Sequence, residues 1–335
     1  MKAVIVSAFA PFDHAVYAEV PDCQPESGEV VIDVVAADVN FPDLLVMEGR
    51  YQIKPPLPFS PGKAATGIVS ALGEGVSGLS IGDRVIVFAE YGLYAEKARV
   101  PVAMCLPLPA AIPFEAAAAS ALTYQTAYFA LKDRAGFRAG DRVLVLGASG
   151  GVGLAAVQLA KALRAGSVIG CARDAEGAVL AHEAGCDHVI VLDTPDIAAN
   201  PRDAFREAVH NVTDGQGVDI VIDPVGGDLT GIAIRALDWC GRLVVIGFAA
   251  GDIPTVKANY LLVKNIAVSG LQWSDYRDRT PERVVAAQAD IFDLWQAGKL
   301  SPQVSARFDL SEFKLALKLL NEGRAKGKII LTVQN

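Results

Sequence analysis

Hydrophobic and polar residues follow two different patterns along this chain, and the change between them falls near Asp141. Before that point, short apolar or alternating runs rich in β-branched residues are separated by many glycines and prolines. Such alternation is typical of half-buried strands, so this part is predicted to form a small β-barrel. The predicted strands cover residues 30–39, 66–72, 83–88 and 93–100, and helix-forming residues follow from Pro113 through Leu131.

From Asp141 onward, short apolar runs alternate with helix-like segments. Strands spaced in this way need crossover helices between them, so the pattern predicts a parallel, doubly wound sheet. The predicted strands are residues 143–146, 167–172, 188–193, 218–223, 242–247 and 266–270, and the predicted helices include 175–184 and 201–212.

The elements after Gly270 have no place in a sheet that is already complete. They comprise helices over residues 281–297 and 311–322 and a closing strand at 328–333, and we expect them to return to the first domain. The predicted fold class is therefore α/β with two domains. Residues 1–122, completed by residues 274–335, form the β-barrel domain, and residues 123–273 form the doubly wound domain.

The stretch DRVLVLGASGGVG, residues 141–153, changes from a strand to a helix through a run of glycines. Glycines let the backbone pass close to a pyrophosphate, and the unpaired N–H groups of the first helical turn point at such an anion. A phosphate cradle is predicted at Ser149, Gly150, Gly151, Val152 and Gly153. An ordinary strand-to-helix connection is the alternative interpretation.

Composition excludes several classes of protein. Hydrophobic residues make up 52% of the chain, which is enough for sizeable cores, and the formal net charge of −8 argues against nucleic-acid or anionic-membrane partners. The most apolar later stretch, residues 110–131, contains Pro113 and Glu115 and does not predict a membrane span. Five widely spaced cysteines are typical of reduced thiols, so a soluble cytoplasmic protein is predicted.

Six motifs together resemble the medium-chain dehydrogenase/reductase superfamily, in particular its zinc-free quinone oxidoreductase branch, which is similar to zeta-crystallin. The resemblance covers essentially the whole chain and implies a GroES-like barrel and a Rossmann domain. Ala148 stands where the general dinucleotide motif has its first glycine, a departure typical of this branch. The motifs are NFPD at 40–43, PG and ATGIVSALGEGV within 61–76, GDRV at 82–85, ASGGVG at 148–153, DPVGGD at 223–228 and GKIIL at 327–331.

Zinc is not predicted. The alcohol dehydrogenase branch of this superfamily binds catalytic zinc through cysteine and histidine, but residues 39–43, where its first ligand motif lies, contain no cysteine. The histidines also lack the spacing of metal ligands. They are His14, His182, His188 and His210.

The cofactor is predicted from the end of the second Rossmann strand, where an acidic residue holds a ribose diol and a basic residue accepts a 2′-phosphate. Arg173 comes first and Asp174 follows, which favours NADPH over NADH without excluding NADH. Gly177 stands where the family often has a lysine. The resemblance further implies cofactor contacts from Thr126, Gly247, Phe248, Ala249, Leu271, Gln272 and Trp273.

The candidate catalytic residues are Asn40, Asp43, Tyr51 and Tyr124. Asn40 is predicted to donate a hydrogen bond to a carbonyl oxygen that gains negative charge, and Tyr51 to donate a proton or a hydrogen bond. The alternative to a catalytic role for Asp43 is a structural one, in which it positions the loop. Two positions expected to be polar in the best-known quinone reductases are Leu45 and Met47, which predicts an apolar pocket with no obvious basic site for a CoA phosphate.

The predicted function is zinc-independent transfer of hydride from NADPH to a quinone or another conjugated carbonyl of a small molecule. Reduction of an enoyl thioester such as an enoyl-CoA is the first alternative. A non-catalytic NADPH-binding protein with a structural or RNA-binding role is the second, and the acidic balance argues against RNA. Relatives pair an exposed sheet edge across a two-fold axis, so a homodimer through the Rossmann domains is expected.

Overall fold

A computed structural model describes residues 1–333, which contain strands and helices throughout. The strands are numbered in chain order. They are β1 Lys2–Ile5, β2 Val16–Glu19, β3 Glu29–Val39, β4 Ala64–Leu72, β5 Arg84–Phe88, β6 Lys97–Pro101, β7 Cys105–Pro107, β8 Arg142–Leu146, β9 Ser167–Ala172, β10 His188–Val191, β11 Val218–Asp223, β12 Leu237–Val245, β13 Ala267–Gly270, β14 Val304–Asp309 and β15 Lys328–Thr332.

The α-helices are shorter and more numerous than the sequence pattern indicates. They are α1 Phe41–Met47, α2 Phe114–Phe129, α3 Gly151–Ala162, α4 Ala175–Glu183, α5 Pro195–Ala199, α6 Pro201–Asn211, α7 Gly227–Ala233, α8 Ala258–Lys264, α9 Trp273–Arg279, α10 Pro281–Gln296 and α11 Phe313–Asn321. A π-helical turn, Ala130–Arg134, follows α2, and 3-10 turns occupy Phe12–His14, Val102–Met104, Ile234–Ala236 and Leu310–Glu312.

The chain divides into two compact units. The first unit contains residues 1–122 and the chain from residue 302 onward, and the second unit contains residues 123–301. Each unit has its own buried cluster of aliphatic and aromatic side chains, as expected of separate domains.

The first unit is rich in β-structure. Its main sheet has the strand order β14-β15-β3-β4-β5-β7, with β6 pairing with β3, and β1 pairs with β2 in a separate hairpin. The C-terminal strand β15 lies antiparallel to β3, with Ile329 opposite Val39 and Ile330 opposite Asp38. This register brings the start of β15 beside the end of β3, where the NFPD motif begins.

The second unit is a parallel sheet with the order β10-β9-β8-β11-β12-β13. Each neighbouring pair runs parallel, and helices connect most of the strands. The order reverses between β8 and β11, which makes their carboxyl ends the topological switch point where ligands bind in open α/β sheets. The prediction of a doubly wound α/β fold is confirmed.

The segment 274–301 differs from the sequence prediction, which placed it with the first domain. In the structure it belongs to the second unit, where α9 and α10 contact the part of α2 that lies in that unit. Gln125 Nε2 donates to the main-chain oxygen of Val284 at 3.1 Å, and the ring centroids of Phe129 and Tyr276 are 4.3 Å apart. A helix can join a domain without having a place in its sheet, so a completed sheet does not determine where the following helices pack.

Candidate active site

The glycine-rich turn between β8 and α3 needs glycine at two positions. Gly147 has a φ of 60°, a left-handed conformation that disfavours a side chain. A Cβ at Gly153 would lie 2.0 Å from the main-chain oxygen of Gly147 and 2.8 Å from Ala148 Cα. The first turn of α3 is therefore packed directly against the turn that precedes it, which is the third-glycine role of the dinucleotide motif.

The amino end of α3 is built to face an anion. Gly150 precedes the helix without a side-chain cap, and Leu154 N is the first helical amide that donates back, to Gly150 O at 2.8 Å. Geometry leaves the N–H groups of Gly151, Val152 and Gly153 without intrahelical acceptors. Those N–H groups and the positive end of the helix dipole suit a pyrophosphate, so the predicted phosphate cradle fits the group for which it was proposed.

The loop after β11 lies beside this turn. The carboxylate of Asp223 is fully buried and accepts hydrogen bonds from the backbone N–H groups of Val225 and Gly226, both at 2.9 Å, and from Thr230 Oγ1 at 2.5 Å. These bonds fix the DPVGGD loop. A Cβ on Gly147 would meet Val225 Cγ2 at 2.9 Å, so the loop and the glycine turn touch at the switch point.

The predicted nicotinamide loops follow β12 and β13 on the same edge of the sheet. Ala249 N donates to Pro224 O at 3.3 Å, and Leu271 N donates to Val245 O at 2.9 Å. Phe248 is 37% exposed, whereas Leu271 and Trp273 are buried. The sheet edge thus brings together most of the predicted cofactor residues, namely Ser149, Gly150, Gly151, Val152, Gly153, Gly247, Phe248, Ala249, Leu271, Gln272 and Trp273.

Arg173 and Asp174 have different environments. Asp174 caps α4, because its Oδ1 accepts from Gly177 N at 2.7 Å. Arg173 is exposed, and among residues 1–333 no carboxylate or carbonyl oxygen pairs with its guanidinium. A Cβ at Gly177 would lie 2.9 Å from Ser149 Oγ, so the first turn of α4 is close to the phosphate cradle. The structure leaves Arg173 available for a phosphate and gives Asp174 a structural role.

Tyr124 does not behave as the catalytic residue that the sequence predicted. It is only 2% exposed, and its hydroxyl donates to Gln158 Oε1 at 2.7 Å. Gln158 in turn binds the backbone of Ser301, donating to its oxygen at 2.9 Å and accepting from its N–H at 2.8 Å. Burial raises the pKa of Tyr124 well above its usual range. This hydroxyl ties α2 to α3, and Thr126, two residues further along α2, is buried as well.

In the first unit, Asn40 and Asp43 begin the short helix α1. Asp43 Oδ2 accepts from Asn40 N and from the Tyr94 hydroxyl, each at 2.8 Å, and both Asp43 and Tyr94 are fully buried. Oδ1 of Asp43 has no hydrogen-bond partner among the described residues. Burial raises the pKa of Asp43 to about 6 against the opposing hydrogen bonds of Tyr94 and Asn40. These bonds fix the start of α1, as the alternative role of positioning the loop requires, and a catalytic role for Asp43 stays a prediction.

A buried ion pair lies next to Asn40. Lys328 Nζ is 2.5 Å from Asp38 Oδ1 and also donates to the Val39 main-chain oxygen at 3.0 Å and to Asn40 Oδ1 at 2.8 Å. Asn40 Nδ2 donates to the main-chain oxygen of Asp38 at 3.3 Å. Burial raises the pKa of Asp38, and the ammonium of Lys328 opposes that shift.

Lys63 is a residue that the sequence interpretation missed. Its side chain is 3% exposed, its ammonium pairs with the Glu90 carboxylate, and it donates to the Glu90 main-chain oxygen at 3.3 Å. The same ammonium lies 4.5 Å from the centroid of the Tyr51 ring. The available signal was a single lysine inside the apolar run that follows Pro61. Lys63 thus places a basic group near Tyr51, but its burial and its pairing with Glu90 do not make it a site for a CoA phosphate, so the expectation that no such site exists stays a prediction. Met47 is a core residue only 1% exposed.

Comparison with known proteins agrees with this architecture. The family model for the alcohol dehydrogenase GroES-like domain matches residues 26–110, and the model for zinc-binding dehydrogenase matches residues 151–289. A quinone oxidoreductase-like protein 2 homolog from Nematostella vectensis is 34% identical over 310 residues, which cover 92% of this chain and 82% of that protein. The chain belongs to the medium-chain dehydrogenase/reductase superfamily, in its quinone oxidoreductase branch.

Solved structures of this superfamily match over nearly the whole chain. A probable oxidoreductase from Mycobacterium abscessus is 35% identical with a TM-score of 0.88, and the match covers 99% of this chain and 98% of that one. The Escherichia coli quinone oxidoreductase, crystallised in complex with NADPH, is 29% identical with a TM-score of 0.90, covering 99% and 100%. The predicted pairing of a GroES-like unit with a Rossmann unit is confirmed.

Neither a metal-binding group nor a membrane-spanning helix is found in the part of the chain described. Within residues 1–333, no three His, Cys, Asp or Glu side chains are placed to hold a metal ion. His182 Nδ1 contacts the Cys186 main-chain oxygen at 3.1 Å, and His210 Nδ1 contacts that of Gly215 at 2.7 Å, so these two histidines have structural partners. No described helix is both long and apolar enough to cross a bilayer.

Proposed function

We propose that the protein is a zinc-independent, NADPH-dependent oxidoreductase that reduces a quinone or another conjugated carbonyl. The observation that carries this proposal is the glycine turn at the switch point. A Cβ at Gly153 would collide with the backbone there, and the first N–H groups of α3 have no intrahelical acceptors and suit a pyrophosphate. The NADPH complex of the E. coli quinone oxidoreductase supports the choice of cofactor.

NADPH, when bound, supplies the hydride, and the residues of this chain bind and orient it. The backbone from Ser149 to Gly153 holds the pyrophosphate, and Arg173 pairs with the 2′-phosphate through its two-pronged guanidinium. The loops after β12 and β13 hold the nicotinamide end. Most of these contacts come from backbone, so they depend on the shape of the turn more than on side-chain identity.

The acceptor is held by residues of the first unit. Asn40 donates an amide hydrogen bond to the carbonyl oxygen of the acceptor, which gains negative charge when the hydride arrives. Tyr51 donates a hydrogen bond or a proton to the reduced acceptor. Quinone reduction leaves an oxyanion that water can protonate, so Tyr51 assists binding of a quinone without being essential.

Lys63 favours enoyl-thioester reduction as a second candidate function. Hydride addition to an enoyl thioester builds an enolate that must be protonated at carbon, a step that needs a placed acid. An ammonium over the Tyr51 ring attracts the negative charge that the tyrosine acquires when it gives up its proton. Its pairing with Glu90 reduces that attraction, so we keep the quinone as the first proposal.

The experiment is NADPH oxidation by the wild type and by Tyr51→Phe against a panel of quinones, enones and enoyl-CoA thioesters. If quinones are the substrates, Tyr51→Phe slows turnover only modestly. If enoyl thioesters are the substrates, Tyr51→Phe lowers their turnover by about 10² to 10⁴, the usual effect of losing a placed acid. NADPH binding without oxidation by any acceptor would instead support the non-catalytic alternative.

We also propose a homodimer formed through the second unit. Strand β13 is the last in its sheet and pairs only with β12 among the described strands. Large apolar side chains nearby in sequence are strongly exposed, including Trp239 at 71%, Leu262 at 80% and Val263 at 76%. An open strand edge flanked by exposed apolar residues favours pairing with a second copy.

A further inference from the structure

The side-chain amide of Asn40 is held in one of its two possible orientations. Its Oδ1 accepts from Lys328 Nζ at 2.8 Å, and its Nδ2 donates to the Asp38 main-chain oxygen at 3.3 Å. An ammonium group carries donors only, so it cannot accept from the Nδ2 side of an amide. A flipped Asn40 would place its N–H groups against the ammonium, and Lys328 therefore determines which end of the amide acts as donor.

Lys328 is itself fixed by its surroundings. Its side chain is 8% exposed, it forms the ion pair with the fully buried Asp38 at 2.5 Å, and it binds the Val39 main-chain oxygen at 3.0 Å. The antiparallel register of β15 and β3, with Ile329 opposite Val39, places Lys328 level with Asn40. A charge this deeply buried is costly without its partner, so Lys328 and Asp38 act as one group.

The contact also changes the amide electronically. A positive charge at Oδ1 polarises the amide and makes its N–H groups stronger donors, because hydrogen bonds in sequence reinforce one another in a dry interior. Asn40 is only 5% exposed, so its hydrogen bonds are made in a dry interior. The bond from Nδ2 to the Asp38 main-chain oxygen is long for an N–H donor, and an amide nitrogen has a second N–H to offer.

We propose that Lys328 and Asp38 form a positioning pair that presents Nδ2 of Asn40 as the hydrogen-bond donor to the acceptor carbonyl. Neither residue contacts the acceptor, and both act through Asn40. This inference rests on the proposed function, because it needs a carbonyl acceptor that becomes more negative during the reaction.

The test is a double-mutant cycle on catalysis. The variant Lys328→Met/Asp38→Asn removes both charges together and so avoids a lone buried charge. It is compared with Asn40→Ala and with the triple variant, using the acceptor that the wild type reduces best. We expect Asn40→Ala and Lys328→Met/Asp38→Asn each to lower kcat about 10²-fold, and the triple variant to be no slower than Asn40→Ala.

Controls separate positioning from general damage. Lys97→Met removes a different lysine of the first unit, which pairs with Asp33 at 3.2 Å, and should retain wild-type kcat/KM. NADPH affinity, measured by fluorescence, should be unchanged in Lys328→Met/Asp38→Asn because the predicted cofactor cradle lies in the second unit. If the losses in the triple variant multiply, or if the folded double variant turns over at the wild-type rate, the positioning role is refuted.

A second pair of variants serves if the double variant does not fold. A guanidinium also only donates, so Lys328→Arg should keep the orientation of Asn40 and most of kcat, whereas Lys328→Gln, which can accept or donate, should not. Equal losses in these two variants would refute the proposal. Failure of the proposed function gives another result: a wild type that oxidises no NADPH, or Asn40→Ala with unchanged kcat, refutes the contact between Asn40 and the acceptor.

Discussion

Replacing Gly153 by alanine should destabilise the second unit, and the structure gives the size of the effect. The added Cβ would lie 2.0 Å from Gly147 O, whereas ordinary contact begins near 3.4 Å, so α3 must retreat by roughly 1.4 Å. Overpacking typically costs about 1–3 kcal/mol. The obstacle here is backbone that cannot rotate away, and the retreat opens gaps beneath Leu154 and Val157. We therefore expect a loss of at least about 3 kcal/mol.

Gly150→Ala is the matched control in the same turn. A Cβ there would meet only Gly147 O, at 3.4 Å, and the φ of −86° is ordinary for an alanine. The unfolding free energy should change by no more than about 1 kcal/mol, the usual cost of a poorer helix cap. Its added methyl group should nevertheless weaken NADPH binding, because it stands where the backbone approaches the pyrophosphate.

The assay is urea unfolding followed by tryptophan fluorescence. All three tryptophans, Trp239, Trp273 and Trp295, lie in the second unit, so their emission reports on this unit even if the two units unfold separately. A Gly153→Ala midpoint equal to that of the wild type would refute the packing argument. Equal destabilisation by Gly150→Ala would show that any change in the turn is damaging, and that the distance to Gly147 O is irrelevant.

Four further predictions concern the cofactor, pH, assembly and metal. Arg173→Ala should raise the KM for NADPH much more than that for NADH, and equal effects would exclude a contact with the 2′-phosphate. The pKa of Asp43 rises from an ordinary 3.8 to about 6 on folding, so the folded state binds more protons between those pH values and loses about 3 kcal/mol of stability as pH rises through them. Urea midpoints of Asp43→Asn, followed by far-ultraviolet circular dichroism because the tryptophans report on the second unit, should lack that fall, and a pH-independent difference from wild type would contradict it. Light scattering at micromolar concentration should give twice the chain mass of 35.2 kDa, with Leu262→Glu shifting the protein toward monomer; a monomeric wild type would exclude the dimer. Elemental analysis should find no stoichiometric zinc, and chelators should leave NADPH oxidation unchanged; one tightly bound zinc per chain would overturn the prediction.

Local periodicity was sufficient to locate the sheet of the second unit. Strands β9 and β11 have the bounds predicted from their apolar runs, and the other predicted strands of this sheet differ by a few residues at their ends. A fully buried parallel strand must be apolar along its length, so the apolar run in the sequence shows where the strand begins and ends. The switch point follows from the same pattern once the glycine turn is placed after the first strand of this sheet.

Tertiary contacts determined what the sequence pattern missed. Helix α1 begins within the NFPD motif and was not predicted. It has only 7 residues, and Pro42 near its start hides the helical pattern in the sequence. Strand β14 was not predicted, because its residues alternate between half-buried and exposed and include Arg307. The segment after Gly270 was assigned to the first domain because the pattern shows that α10 is amphipathic without showing which surface it covers.

The candidate site divided in the same way between local and long-range information. The predicted cofactor cradle could be located from the sequence because one continuous stretch of chain contains all its residues. Lys63 and Lys328 were missed, since neither has a sequence neighbour that requires a charge. Lys63 approaches Tyr51 only when the chain folds, and Lys328 binds Asn40 from the other end of the chain. The sequence did not show that the hydroxyl of Tyr124, a candidate catalytic residue, is buried against Gln158. That burial depends on the contact between two helices.

The two units differ in how they would recognise their ligands, and this difference bears on how far a relative's activity can be transferred. In the second unit the predicted pyrophosphate site consists of backbone N–H groups, so substitutions should alter cofactor binding mainly where a Cβ intrudes, as expected at Gly150. In the first unit the proposed acceptor site consists of side chains whose directions depend on buried charges, so exchanging Lys63 or Lys328 should change donor strength and geometry without disturbing the fold pattern. Similarity to an NADPH complex is therefore a stronger argument for the cofactor than similarity to a quinone reductase is for the acceptor. For this reason the acceptor panel with Tyr51→Phe, more than further comparison, is the measurement that distinguishes quinone from enoyl thioester.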